Sequence, residues 1–125
     1  KSCVFIEHDQ KWISNINKNN NMEILQYSYW TKCKNWETEI HSDQLMIDLK
    51  DYHNNYDLIV VDAPPGYNND KPGRLQSIYT SSKLSDNIII HDCDRIIEQK
   101  ACDSFLYDFE LVVEISRLRH YQKKK

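Results

Sequence analysis

Acidic and imidazole side chains follow two apolar runs in this sequence of 125 residues. Asp62 comes directly after the run 58–61, and His91 and Asp92 come directly after the run 87–90. A carboxylate or an imidazole at the rim of a buried strand is a candidate general base, since burial raises the pKa of a carboxyl group. We therefore predict Asp62, His91 and Asp92 as catalytic residues, with Asp62 or His91 as the base.

The same side chains are candidate metal ligands. Carboxylate oxygens from two neighbouring strand ends, here Asp62 and Asp92, are the ligands that Mg²⁺ and Mn²⁺ prefer. Two alternatives stay open at this point. For the carboxylates, the alternative is that Arg95 pairs with Asp92 or Asp94 and locks the turn. For His91, it is a buried histidine whose hydrogen bonds are satisfied and that has no chemical role.

Five further side chains are candidates for contacting a substrate: Tyr67, Arg74, Asp94, Arg95 and His120. Arg74 lies near the start of a predicted helix, where its guanidinium and the free N–H groups suit a substrate carboxylate such as that of a uronic acid. Tyr67 offers a hydroxyl or an aromatic wall for a sugar ring. The structural alternatives are that Tyr67 only packs against its neighbours, that Arg74 lies on the surface without a ligand, and that His120 has only a packing role.

Glu7 ends the first apolar run, 4–6. In doubly wound nucleotide-binding domains, an acid at such a strand end accepts hydrogen bonds from ribose hydroxyls. A solvated acid after an edge strand is the alternative.

The hydrophobic pattern predicts strands and helices that alternate along the chain. The predicted strands cover 4–6, 23–29, 57–62, 87–92, 111–115 and 118–121, the last two as an antiparallel hairpin, and the predicted helices cover 10–17, 45–52, 72–84 and 96–109. The run 57–62 has the composition of a central strand buried on both faces, and 17–21 that of a polar turn. Such alternation indicates an α/β fold with a mostly parallel sheet and helices on both faces.

Composition excludes several classes of function. There are 16 basic and 19 acidic residues, for a formal charge of −3, so nucleic acid is not expected as a partner. The sequence contains no run of about 18 apolar residues, so no membrane segment is predicted.

The four cysteines contain no Cys-x-x-Cys pair, which argues against a zinc knuckle but leaves one or two disulfides open. We expect one domain over 1–125 that begins inside a larger domain.

The ordered motifs resemble the glucuronoxylan 4-O-methyltransferase family of plant polysaccharide biosynthesis. The motifs are Val4-Phe5-Ile6-Glu7, the segment 56–67 with Asp62-Ala63-Pro64-Pro65-Gly66-Tyr67, Pro72-Gly73-Arg74, His91-Asp92-Cys93-Asp94-Arg95 with Glu98, and Arg117-Leu118-Arg119-His120-Tyr121. Their order and spacing extend over nearly the whole chain.

This resemblance implies a Rossmann-like, S-adenosylmethionine-dependent enzyme that methylates the 4-hydroxyl of glucuronic acid in xylan, in the Golgi lumen of plants. It places Glu7 and Asp62 beside the cofactor and the 91–95 turn in the active site, with a divalent cation as a further candidate. The family's first strand and Gly-rich loop would precede Lys1, so we expect both to be missing from this chain. Two other functions stay open: a non-catalytic family member that supports xylan biosynthesis, and a metal-assisted esterase.

Overall fold

The computed structural model describes residues 3–15 and 21–125, which form six strands and four α-helices. The strands are β1 (Cys3–Glu7), β2 (Met22–Gln26), β3 (Ile59–Val61), β4 (Asn87–Ile90), β5 (Phe109–Ile115) and β6 (Leu118–Lys123). The helices are α1 (Gln10–Asn15), α2 (Trp36–Glu39), α3 (Leu75–Leu84) and α4 (Ile96–Phe105), with 3₁₀ turns at Cys33–Asn35 and Lys50–Tyr52. The predicted α/β class is confirmed. The turn predicted at 17–21 lies outside the described residues, apart from Asn21.

The strands form two sheets of different kinds. β1 and β2 pair in parallel, and the second sheet has the order β3-β4-β6-β5. In that second sheet β3 and β4 are parallel, whereas β6 is antiparallel to both β4 and β5. The predicted hairpin of β5 and β6 is therefore confirmed. The prediction of a mostly parallel sheet is wrong, because this hairpin returns antiparallel along β4 and makes the sheet mixed.

The core lies between the second sheet and the two long helices. Ile88 and Ile90 of β4, Ile78 of α3 and Ala101 of α4 have no exposed surface. Helical spacing places one apolar stripe of each helix in this core. These two helices, of ten residues each, are the longest described, and none of the described helices has the length and apolar composition to cross a membrane.

β3 is less buried than its sequence predicts. Val61 is buried, but Val60 is 60% exposed and Leu58, just before the strand, is 49% exposed. The prediction that both faces of this run are covered is therefore wrong for the described chain. Among the described strands, β3 pairs with β4 alone, so it forms an edge of the sheet rather than its centre.

The segment 44–49 forms neither a helix nor a strand, and the helix predicted over 45–52 is wrong apart from one 3₁₀ turn at its end. Leu45, Ile47 and Leu49 are buried, at 0%, 1% and 4% exposure. Alternation with a period of two is the pattern of an extended chain with one face on the core. The segment is fixed to α3, because the Ile47 N–H donates to the Thr80 hydroxyl over 2.9 Å.

The extended segment predicts different results for two neighbouring residues. Ile47→Ala should lower the free energy of unfolding by about 2–5 kcal/mol, because it leaves a cavity in the core. Met46→Ala removes a side chain that is only half-buried, and we expect a loss of less than about 1.5 kcal/mol. Urea denaturation of both variants measures the difference. Equal losses, or a larger loss for Met46→Ala, would restore the helical interpretation.

Candidate active site

Two neighbouring strands end side by side, and this positions Asp62 and His91. Val61 of β3 lies opposite Ile90 of β4, and the His91 N–H donates to the Val61 carbonyl oxygen over 3.0 Å. The next residues, Asp62 and His91, therefore emerge at the same edge of the sheet. Polar atoms of Asp62, His91 and Asp92 all lie within 4.8 Å of one another. The three residues predicted as catalytic thus form one cluster.

The imidazole of His91 lies between two carboxylates. Its Nδ1 is 3.2 Å from an oxygen of Asp62 and 3.2 Å from an oxygen of Asp92, although neither contact has the angles of a regular hydrogen bond. The side chain of Asp62 is 71% exposed, so the burial expected for this carboxylate is not found. The His91 side chain is 42% exposed. Two acceptors beside Nδ1 favour the tautomer that carries its proton there, and this leaves Nε2 as an acceptor.

Arg74 joins the ends of the two strands from inside the protein. It is 3% exposed, and its guanidinium donates to the carbonyl oxygens of Pro64, Asp62 and His91 over 3.0, 3.0 and 2.7 Å. Its Nη1 also lies 2.9 Å from an Asp92 carboxylate oxygen. Because these donors are occupied within the chain, the predicted role of Arg74 in holding a substrate carboxylate gains no support. Its contacts are structural.

Asp92 is surrounded by positive charge. Its carboxylate pairs with Arg74, lies 3.6 Å from Arg95 and accepts a hydrogen bond from Arg117. Its φ of 61° is in the left-handed region, which Asp and Asn tolerate better than other non-glycine residues. Burial acts to raise the pKa of this carboxyl, but the neighbouring positive charges, that of Arg74 above all, lower it below its usual value. Asp92 is therefore an anion held in place by its partners.

Arg95 continues this network into α4. Its Nη2 lies 3.0 Å from Glu98, which is 1% exposed, and burial raises the pKa of the Glu98 carboxyl, with the Arg95 charge acting the other way. The turn that follows β3 passes close to this pair. A Cβ added at Gly66 would lie 3.2 Å from both the Arg95 guanidinium and the Glu98 carboxylate, so the close approach favours glycine. Nη2 of Arg95 is thus engaged within the chain, whereas its buried Nε has no hydrogen-bond partner among the described residues, and contact with a substrate stays a prediction.

A chain of polar contacts connects the end of β1 with the end of β3. The buried side chain of Tyr29 lies next to Ser77, whose hydroxyl donates to the Ala63 carbonyl oxygen over 3.1 Å. Burial raises the pKa of Tyr29, and the nearby charge of Glu7 acts in the same direction. Glu7 is linked to α3 through Tyr27, because the Tyr27 N–H donates to the Glu7 carbonyl oxygen and the Gln76 amide donates to the Tyr27 hydroxyl. His8 is its neighbour, with Nδ1 3.7 Å from the Glu7 carboxylate.

Sequence reasoning missed Tyr29 and Ser77, and only their spatial contact distinguishes them. Tyr29 follows a strand in a stretch rich in aromatic residues, and Ser77 is one of several serines on α3. Neither position has a spacing that predicts a site.

The remaining predicted substrate residues lie at different distances from the cluster. Asp94 is next to it and pairs with Arg117 over 3.0 Å, whereas Tyr67 is 71% exposed on the turn after β3. His120 is not brought into the cluster. Its Nε2 lies 3.3 Å from the side-chain oxygen of Asn87, at the opposite end of β4. Substrate contact by Asp94 and Tyr67 stays a prediction. The predicted substrate contact of His120 gains no support.

The cluster has the ligand atoms of a cation site, but the neighbouring arginines make the site unfavourable for a cation. Asp62, His91 and Asp92 offer two carboxylate oxygens and a nitrogen at suitable mutual distances. The arginines around Asp92, however, already neutralise its charge and oppose a second cation. The predicted metal therefore stays a prediction.

All four cysteines lie within the described residues, and none forms a disulfide; Cys33, Cys93 and Cys102 are buried, and Cys3 is exposed.

The chain is thus an α/β protein in which carboxylates and an imidazole meet where two parallel strands end. The family model described as IRX15/IRX15L/GXM matches residues 45–121, which is more than half of the chain. The chain belongs to this family, and the resemblance inferred from its motifs is confirmed.

Several proteins of Arabidopsis thaliana are similar to this chain. Glucuronoxylan 4-O-methyltransferase 3 is 32% identical over 94% of this chain and 49% of its own length. Arabinogalactan O-methyltransferase 2 is 33% identical over 57% of this chain and 27% of its own length, and Protein IRX15-LIKE is 34% identical over 59% and 26%. The chain spans about half the length of the glucuronoxylan methyltransferases that it matches. No solved structure matches it significantly.

The ion pairs of Asp92 predict how stability depends on pH. Because the pKa of Asp92 is lowered in the folded state, its ionisation stabilises the fold above the unfolded pKa, near 3.9, and this contribution is lost as the pH falls through the folded pKa. Asp92→Asn should therefore lower the free energy of unfolding by about 3 kcal/mol at pH 7, since it leaves buried arginine charge uncompensated. The difference from the wild type should shrink below about pH 4.

Urea denaturation between pH 7 and pH 2.5 measures this difference. Asp103→Asn, on the exposed side of α4, is the matched control and should follow the wild type at every pH. A gap between wild type and Asp92→Asn that stays constant down to the lowest pH would show that the Asp92 charge does not stabilise the fold.

Proposed function

We propose that this chain forms part of a Rossmann-like O-methyltransferase that uses S-adenosylmethionine to methylate a sugar hydroxyl of a polysaccharide. Family membership and the names of three relatives as glucuronoxylan 4-O-methyltransferases support this function. The observation that carries the proposal is the His91 imidazole held between the carboxylates of Asp62 and Asp92, at 3.2 Å from each. This arrangement suits the removal of a proton from a hydroxyl group.

The residues present fit the ribose end of the cofactor. Glu7 ends β1, its side chain is 19% exposed, and a half-buried carboxylate at a parallel strand end suits the two ribose hydroxyls. Asp62, at the end of β3, is the second proposed cofactor residue. The 125 residues contain two glycines, Gly66 and Gly73, and no Gly-x-Gly motif. When bound, the cofactor supplies an activated methyl group for transfer to an oxygen nucleophile.

His91 is the proposed base. Protonated at Nδ1, which lies beside the two carboxylates, the imidazole has Nε2 available to accept the proton of the sugar hydroxyl as the oxygen becomes nucleophilic. Asp62, whose carboxylate is exposed, then stabilises the positive imidazolium through its negative charge. The exposure of the His91 side chain leaves room for the acceptor, and Arg74 fixes both strand ends from behind. We propose that Asp94, Arg95 and Tyr67 contact the hydroxyl or carboxylate groups of the sugar.

Cofactor binding tests the Glu7 assignment. The intact protein should bind S-adenosylmethionine in calorimetry, and Glu7→Gln should weaken binding about tenfold or more, because a charge-assisted hydrogen bond to the ribose is lost. Glu37→Gln, an exposed position on α2, is the matched control and should bind like the wild type. Absence of binding at millimolar cofactor, or equal affinity of Glu7→Gln and the control, would contradict this assignment.

Methyl transfer tests the assignment of the base. His91→Gln should reduce kcat about a hundredfold or more, because general base catalysis contributes on that order, while leaving cofactor affinity unchanged. The measurement is transfer of a labelled methyl group to glucuronoxylan and arabinogalactan oligosaccharides. His120→Gln is the control, since His120 contacts Asn87 at the far end of β4 and should retain wild-type kcat. Comparable activity of the two variants would remove His91 from the mechanism.

A chelator in the same assay separates the metal and esterase alternatives. Loss of methyl transfer with chelator, restored by Mg²⁺ or Mn²⁺, would place a cation at the cluster of Asp62, His91 and Asp92. Chelator-sensitive ester hydrolysis without methyl transfer would replace the proposed function with an esterase.

A further inference from the structure

A shallow groove lies beside the end of β2, outside the cluster of Asp62, His91 and Asp92. It has a volume of about 460 Å³ and is open to solvent, with a lining formed by Tyr27, Trp30, Ser42, Gln44, Met46 and Asp48. This volume is within the range of roughly 300–1,000 Å³ typical of small-molecule sites. The groove is therefore large enough for a compact ligand or for one part of a longer one.

One wall of the groove is aromatic and fixed in place. The Trp30 indole N–H donates to the Gln44 carbonyl oxygen over 3.1 Å, and the Trp30 backbone N–H donates to the side chain of Gln76 over 3.1 Å. The Gln76 amide nitrogen donates to the Tyr27 hydroxyl over 2.8 Å, and Gln76 itself has no exposed surface. One buried amide thus orients both aromatic residues, so binding requires little further ordering of them.

The rest of the lining includes the outward-facing residues of the segment 44–49. Because its alternate residues enter the core, Gln44, Met46 and Asp48 face outward in one row. The side chain of Asp48 is 74% exposed. This row offers an amide, a thioether and a carboxylate along one side of the groove. In a helix, Gln44, Met46 and Asp48 would not all lie on the same face.

The groove combines the chemistry that recognises a pyranose ring. A sugar ring has apolar C–H faces and a polar edge of hydroxyl groups, so it binds where an aromatic face lies next to hydrogen-bonding side chains. Trp30 is 43% exposed and supplies such a face. Asp48 Oδ1 accepts from the Lys50 N–H and the Gln44 amide nitrogen donates to Asp43, so the second Asp48 carboxylate oxygen and the Gln44 side-chain oxygen are the acceptors offered to a sugar. The open shape also suits a polymer, because a chain of sugars must extend beyond the groove.

The groove is connected to the proposed active site. The Tyr27 N–H donates to the Glu7 carbonyl oxygen over 3.0 Å, so this wall begins where β1 ends. Gln76, which holds the wall, precedes Ser77, which contacts the Ala63 carbonyl next to Asp62. The groove and the cluster therefore share α3 as a common support.

We propose that this groove binds a sugar residue of the polysaccharide acceptor, at a position along the polymer separate from the hydroxyl that is methylated. This proposal rests on the proposed function for the choice of a polysaccharide, but its binding step needs neither the cofactor nor His91. The groove provides affinity for the polymer, while the cluster at the strand ends carries the chemistry.

Trp30→Ala in the intact protein tests the proposal. Loss of the aromatic face should weaken binding of glucuronoxylan oligosaccharides, measured by calorimetry, about tenfold. The affinity for S-adenosylmethionine should stay unchanged. Trp12→Ala is the matched control, because Trp12 is 64% exposed on α1 and does not line the groove, and it should bind both ligands like the wild type.

Asp48→Asn is a second variant that keeps the proposal testable if Trp30→Ala fails to fold. Asparagine keeps a side-chain oxygen that accepts the hydrogen bond from the Lys50 N–H, so we expect a small effect on folding and about threefold weaker oligosaccharide binding from one impaired hydrogen bond. Glu37→Gln, on the exposed face of α2, is the control for this change. Wild-type oligosaccharide affinity in folded Trp30→Ala, or in Asp48→Asn where Trp30→Ala does not fold, overturns the proposal.

Two further outcomes separate this inference from the proposed function. If Trp30→Ala weakens the binding of adenosine or S-adenosylmethionine instead, the groove holds the nucleoside and the carbohydrate proposal is wrong. If the wild type binds oligosaccharides through Trp30 but neither binds the cofactor nor transfers methyl groups, the groove is a carbohydrate site and only the proposed enzyme activity fails.

Discussion

The buried guanidinium of Arg74 is the contact on which the geometry of the site depends. It donates to three backbone carbonyls at the ends of β3 and β4 and pairs with Asp92, so one side chain fixes the relative position of both strand ends. A buried charge of this kind is stable only when its donors are satisfied, and here carbonyl oxygens and a carboxylate satisfy them. The outer face of the cluster is then free for Asp62 and His91, which face solvent. The buried pair of Arg74 and Asp92 thus holds the site together, while Asp62 and His91 remain accessible.

Much of the fold could be predicted from hydrophobic spacing. Strands β1, β4 and β5 follow from short runs that contain β-branched residues, β6 follows from Leu118 and Tyr121, and α3 and α4 follow from their apolar stripes. The segment 44–49 could not be predicted in this way. Leu45, Met46 and Leu49 match a helical stripe, while Leu45, Ile47 and Leu49 match an extended chain equally well. The contact of Ile47 with Thr80 is a tertiary interaction, and it is what favours the extended form.

The candidate site was predictable in part for a similar reason. Parallel strands end at one edge of a sheet, so the meeting of Asp62 with His91 and Asp92 follows from their positions after two apolar runs. The environment of each group does not follow from position. Asp62 is exposed and Arg74 is buried, the reverse of what a rim carboxylate and a substrate-binding arginine predict. The sequence carries no signal for the contact between Tyr29 and Ser77, because it joins residues that are far apart in the chain.

The glycine of the turn after β3 has a consequence for how this family can vary. A Cβ at position 66 would lie 3.2 Å from the ends of the Arg95 and Glu98 side chains, so these would have to shift slightly to accommodate it. A side chain at position 66 is therefore compatible with the fold only when the residues at 95 or 98 become smaller or move. Substitutions at positions 66, 95 and 98 should therefore be non-additive in their effect on stability, although the turn and α4 are separated in sequence by about thirty residues.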